Sequence, residues 1–142
     1  MIWVVRASAA LSIFSLLLAL GCSSSGIKTH TVAGKVEIKD GDAAILTGST
    51  VELKHESDEA IRPYGNIDSN GKFALKTMVK GKLLSGAPTG KYQARIILAD
   101  PSDEGVPKRN GDPINKKYYD FATSGLTMAI PGGDYNVSLS KK

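Results

Sequence analysis

After residue 30 the chain alternates apolar and polar side chains with a period of two, and no segment sustains the 3.6-residue period of an amphipathic helix. Val32, Gly34, Val36 and Ile38 fall on one side of an extended segment, with Ala33, Lys35, Glu37 and Lys39 on the other. Asp40-Gly41-Asp42 supplies the turn that ends it. Val51 and Leu53 alternate with Thr50, Glu52 and Lys54, and a shorter strand is predicted around Arg62 to Ile67. Ser69-Asn70-Gly71 tolerates the positive φ angles of a tight hairpin, and beyond it Phe73 and Leu75 alternate with Lys72, Ala74 and Lys76. The glycine-rich stretch from Val79 to Thr89 reads as a loop. Tyr92, Ala94, Ile96 and Leu98 then face one way and Lys91, Gln93 and Arg95 the other, which predicts the central strand.

Asp100 to Lys117 is polar and interrupted by Pro101, Pro107 and Pro113, too charged to pack as a strand and too broken for a helix. A loop of that length is the main candidate for function. Leu126, Met128 and Ile130 resume the alternation, Pro131-Gly132-Gly133-Asp134 turns the chain, and Tyr135, Val137 and Leu139 close it. About seven short strands with turn residues between them predict an all-β, antiparallel seven-stranded β-sandwich, because each sheet buries one face against another. Each inward side chain contributes roughly 1.5 to 3 kcal/mol when fully buried, so one core of this size is stable without disulfides.

The first twenty residues break this pattern. Arg6 is their only charged side chain, and the run from Ala7 to Leu20 is predominantly apolar before it meets Gly21 and Cys22. That is the layout of an export signal, and the stretch is shorter than the ~20 apolar residues that span a bilayer; the alternative reading is an uncleaved anchor. Leu18, Ala19, Leu20, Gly21 and Cys22 resemble the bacterial lipobox, although leucine usually stands where Ala19 does. The resemblance implies that residues 1–21 are a lipoprotein signal peptide, removed to leave a diacylated and N-acylated Cys22. Cys22 is the only cysteine, so no internal disulfide competes with this reading. Two or three acyl chains, each methylene worth ~0.8 kcal/mol when buried, anchor stably where one does not. Residues 22–29 then form a flexible tether and residues 30–142 the domain.

Several segments of the domain resemble the carboxypeptidase regulatory-like domains, which are small transthyretin-like (prealbumin-like) sandwiches, and in particular the single-domain bacterial lipoproteins that carry them. Val32 to Lys39 resembles their opening Val-x-Gly-x-Val strand, Thr50 to Lys54 their second strand, and Asp68 to Phe73 their Asp-x-x-Gly-x-Phe hairpin. Gly90-Lys91-Tyr92 is similar to their Pro-Gly-x-Tyr motif. The block from Lys117 to Thr127 resembles a Lys-Tyr-x-Asp-Pro-x-Thr-Ser-Gly-Leu sequence, with Phe121 where proline is usual. The resemblance implies an accessory or binding module with no catalytic residues. The local reading of the same block is structural: Tyr118 packs across the end of the sandwich, while Asp120, Thr123 and Ser124 satisfy backbone groups.

Chemistry adds little. Asn66, Asp68, Asn70 and Gly71 have the spacing of half a calcium loop, but Thr77 stands where a bidentate Glu is needed, and a hairpin turn is expected instead. With Cys22 acylated, His30 and His55 are too few for zinc. Ser25 and Lys28 have the Ser-x-x-Lys spacing by coincidence, and Gly86 to Lys91 lacks the spacer and helix of a phosphate loop. No cofactor, metal or catalytic residue is therefore expected. The candidate ligand-contact residues are Tyr118, Tyr119, Asp120 and Phe121, which cluster beside the long loop. Losing residues 1–21 removes one base and no acid, which leaves 17 basic against 14 acidic side chains, a mixed solvated surface of net +3. The expected partners are membrane lipid through acylated Cys22 and an envelope protein or polysaccharide, with no nucleic acid. The chain is placed in the cell envelope, at the periplasmic or cell-surface side of a membrane, the outer rather than the inner. Two alternatives are a carbohydrate-binding module using the aromatic cluster and a hydrolase using the acids Asp100, Asp103, Glu104 and Asp112 of the loop.

Overall fold

Strand β2 (Ala33–Ile38) shows how the alternation becomes a layer: Val36 and Ile38 are buried, whereas Ala33, Lys35 and Glu37 are exposed. The computed structural model describes residues 26–142, so the signal segment, Cys22 and most of the tether lie outside the described residues. Before β2 comes β1 (Thr29–His30). After it come a 3-10 turn (Ala43–Leu46), β3 (Thr50–His55), β4 (Tyr64–Asn66), β5 (Lys72–Ala74) and β6 (Lys76–Val79). Then follow β7 (Lys82–Ser85), β8 (Ala87–Pro88), β9 (Gly90–Ile97) and a second 3-10 turn (Lys116–Tyr119). The one-turn helix α1 (Phe121–Ser124), β10 (Thr127–Ile130) and β11 (Val137–Leu139) complete the chain.

The architecture is all-β and sandwich-like. A six-stranded sheet runs in the order β10-β9-β3-β4-β6-β7, a three-stranded sheet in the order β11-β2-β5, and β1 pairs with β8. Val51 and Leu53 of β3 and Tyr92, Ala94 and Ile96 of β9 point from the larger sheet into the core. Val32 before β2, Val36 and Ile38 within it, and Val137 and Leu139 of β11 join the same core from the smaller sheet. β2, β3, β9 and β10 fall where the alternation predicts strands, with their buried residues on the predicted inward face. β9 is the longest strand and is hydrogen-bonded on both sides, as expected of a central one.

Three expectations change. The segment 72–77 is two strands rather than one: β5 pairs with β2 and β6 with β4 and β7, so the chain crosses from one sheet to the other at the buried Leu75. The expected loop from Val79 to Thr89 is a hairpin, β6–β7, followed by β8. Its turn is Lys80-Gly81, with φ of 47° and 77°, the left-handed pair that a two-residue hairpin requires. The sandwich is also not wholly antiparallel, because β11 pairs parallel to β2 after the chain leaves the six-stranded sheet at the Pro131 to Asn136 turn. With β1 and β8 counted, eleven short strands replace the seven expected.

Candidate ligand-contact surface

The polar loop after β9 is fastened to the sandwich at several points. Asp100 caps its first turn: its carboxylate accepts from the Ser102 backbone N–H at 2.9 Å and the Ser102 hydroxyl at 2.7 Å, which together hold its pKa below the usual carboxylate value. The Arg109 guanidinium donates to the Ala99 carbonyl, and its buried Nη1 has no partner. Ile114 is buried in the core despite the charged sequence around it. Asn115 donates its N–H to the Ser140 carbonyl, and its side chain accepts from Lys117 N at 3.0 Å, which starts the second 3-10 turn.

That turn aims the aromatic side chains in different directions. Tyr118 is 6% exposed and its hydroxyl lies 3.1 Å from Ser140 Oγ, so it packs across the end of the sandwich and turns no ring face to solvent. Partial burial acts to raise the Tyr118 phenol, but the Ser140 hydrogen bond and the Lys117 ammonium outweigh it, and its pKa falls below the ordinary value. Tyr119 packs against the core, and burial, followed by the Asp112 carboxylate, pushes its pKa up to about 12. Asp120 caps α1 by accepting from Ala122 N at 2.8 Å. Thr123 donates to the Lys117 carbonyl at 2.7 Å. Ser124, 4% exposed, donates to the Ala94 carbonyl of β9 at 2.6 Å and accepts from Leu126 N at 3.1 Å.

Phe121 alone of the four candidates reaches the outer face of the six-stranded sheet. Three cations surround its ring: Arg95 at 4.7 Å from the centroid, and Lys54 and Arg62 each at 5.2 Å. Glu52, opposite Arg95 across β3 and β9, accepts from Arg95 Nε at 2.6 Å and pairs with Arg62 at 3.6 Å, while Lys54 pairs with Glu59 at 3.6 Å. The ring is held by electrostatic attraction to its face as well as by packing. Sequence reasoning named Phe121 but missed Glu52, Lys54, Arg62 and Arg95. The signal was present in the outward positions of Glu52, Lys54 and Arg95 on neighbouring strands, with Arg62 just before β4, and in an aromatic residue where the resemblance leads one to expect proline.

The other candidate side chains are occupied by turns. Asp68 Oδ1 accepts from Asn70 N and Lys72 N at 2.8 and 2.9 Å, and Asn66 accepts from the Thr50 hydroxyl, so these oxygens serve the turn that carries the chain from β4 to β5 in the other sheet, and the β3–β4 pair, instead of facing an ion. His55 Nδ1 accepts from Ser57 N and Asp58 N, which leaves its other nitrogen to carry the proton, and His30 bonds Thr89. Among the described residues no three His, Cys, Asp or Glu side chains are grouped to hold a metal. A recess of about 610 Å³ beside the smaller sheet is lined by Lys35, Glu37, Asp42 and Asn70, well separated in the chain from the aromatic block. No family model, curated protein or solved structure matches the chain.

Proposed function

We propose that the chain is an envelope lipoprotein, held to a membrane through acylated Cys22, whose domain is a carboxypeptidase regulatory-like sandwich acting as a non-catalytic structural or protein-binding module. The observation that carries this reading is the lipobox-like Leu18-Ala19-Leu20-Gly21-Cys22, which ends an apolar, weakly charged leader a few residues before the first strand. The family resemblance is supported by where its motifs fall. Val32 to Lys39 covers β2, Thr50 to Lys54 lies in β3, Asp68 to Phe73 turns into β5, and Gly90-Lys91-Tyr92 begins β9.

A binding module fits the aromatic block better than a sugar platform does. Tyr118 is buried, Tyr119 packs inward, and the Phe121 ring is engaged by its own arginines and lysine, whereas sugar stacking needs an open ring face. The charged outer face around Phe121 offers the paired charges and polar rim that suit a protein partner. Crosslinking in intact cells, followed by identification of what is joined to the full chain, tests this. Recovery of one or a few envelope proteins is expected. Heat on titration with cell-wall polysaccharides, with no protein joined, would contradict it and return the domain to carbohydrate binding.

A further inference from the structure

The β6–β7 hairpin carries an unusual surface for a soluble face. Met78 and Leu83 are paired directly across its two strands and are 52% and 49% exposed, so they stand side by side on one face. Lys76 flanks Met78 on that face, Lys80 stands in the turn, and Lys82, opposite Val79, points to the other face at the hairpin tip; all three are exposed. From Ser69 to Ala99 the sequence holds six cations and no acid. An exposed apolar pair on a hairpin whose tip carries lysines on both faces matches the interface of an anionic bilayer, where apolar side chains enter the head groups and ammonium groups meet phosphate.

The pairing register sets the geometry. His55 pairs with Tyr92, so the start of β9 lies at the same end of the six-stranded sheet as the end of β3. Tyr64 pairs with Lys76 and Val79 with Lys82, which brings the Lys80-Gly81 turn to that end too. Thr29 pairs antiparallel with Pro88, so stepping back along the chain toward residue 26 leads past Pro88 toward Gly90. The tether therefore leaves the domain at the end that bears the hairpin turn. Ile27, 40% exposed, lies on that path. From β9 to β7 is four strand spacings, about 19 Å, and the residues from Cys22 to Thr29 reach up to roughly 25 Å. Glu56, Asp58 and Glu59 sit at the same end as counter-charges, of which Glu59 is paired with Lys54 and Asp58 caps its own turn by accepting from Ala60 N.

We propose that the β6–β7 hairpin docks on an anionic membrane surface, with Met78 and Leu83 entering the head-group layer and Lys76, Lys80 and Lys82 binding lipid phosphates, so that the domain lies hairpin-down on the bilayer to which it is tethered. The orientation rests on the lipid-anchor reading; the surface chemistry does not. Lys82 on the β7 edge strand also opposes pairing with a second strand, which favours lipid over another copy of the chain.

The test uses the chain from residue 22 onward with Cys22→Ser, whose described core is drawn entirely from Val32 to Leu139 and needs no acyl group. It is sedimented with vesicles containing phosphatidylglycerol and with vesicles of phosphatidylcholine alone. Binding to the anionic vesicles that weakens with salt is expected, and Lys80→Glu with Lys82→Glu should weaken it more than about tenfold, since each lysine near such a surface contributes about fivefold. Leu83→Ser should weaken it without changing the salt dependence. Equal binding to both vesicles, no binding, or an unchanged charge-reversed variant would overturn the proposal. So would a dimer abolished by Leu83→Ser with no vesicle binding, which would assign the face to a second copy. No acyl chain is present, so failure here leaves the Cys22 reading standing, and failure of that reading leaves the vesicle result standing.

Discussion

Tyr92 enters the core from β9 with no exposed surface, stacks edge-on against His55 at 5.0 Å and donates its hydroxyl to the Pro88 carbonyl at 2.7 Å. Burial pushes its pKa up to about 12, as burial with the Asp112 carboxylate does for Tyr119. A phenol whose pKa is higher folded than unfolded favours the folded chain while it is protonated. That contribution is whole below the unfolded value near 10 and is lost as pH rises through about 12. Titrating the five tyrosines by ultraviolet absorbance should show Tyr92 and Tyr119 ionising only as the domain unfolds. Ionisation of more than three of the five phenols near pH 10 within a folded domain would contradict this. Residue-level readings of the 117–127 block were legible where a side chain acts on neighbouring backbone, as with Asp120 at the start of α1 and Tyr118 across the sandwich end. The long-range partners of Ser124 and Phe121 were not, because they depend on which strands lie side by side.

At the scale of elements, Phe121 pins α1 and the preceding turn onto the charged face of the six-stranded sheet. Phe121→Ala removes half-buried apolar area and the cation–ring attraction, and should cost about 1–2 kcal/mol in urea unfolding. Phe121→Leu keeps most of the area and should cost about 0.5–1 kcal/mol, the part owed to the ring. Equal stability of both variants and the parent would show that the cations merely surround the ring. The strands that alternate cleanly, β2, β3, β9 and β10, were readable because one face of each is buried and the other wet. β6–β7 was hidden because its turn uses Lys80-Gly81, and a lysine is an uncommon choice at positive φ, whereas Asn70-Gly71 announces itself. The parallel pairing of β11 with β2 was hidden because alternation specifies a strand's faces and leaves its neighbour open.

The whole chain joins a sandwich-like domain to a predominantly apolar N-terminal sequence. Apart from Arg109 Nη1, the domain meets the polar demands of its loops internally, through caps at Asp42, Asn115 and Asp120 and through Ser124 and Thr77, both buried and both bonded to backbone carbonyls. Among the described residues no helix is long and apolar enough to cross a membrane. In the proposed account the acyl chains on Cys22 supply the attachment. Membrane residence then follows from lipid, and the orientation of the domain from the hairpin and the short tether. Intact-mass and N-terminal peptide analysis of the protein purified from its native membrane tests the account most directly. A chain that begins at Cys22 and carries a thioether-linked diacylglycerol and an amide-linked acyl group is predicted; an unmodified Cys22 thiol, or a chain that still begins at Met1, would contradict it.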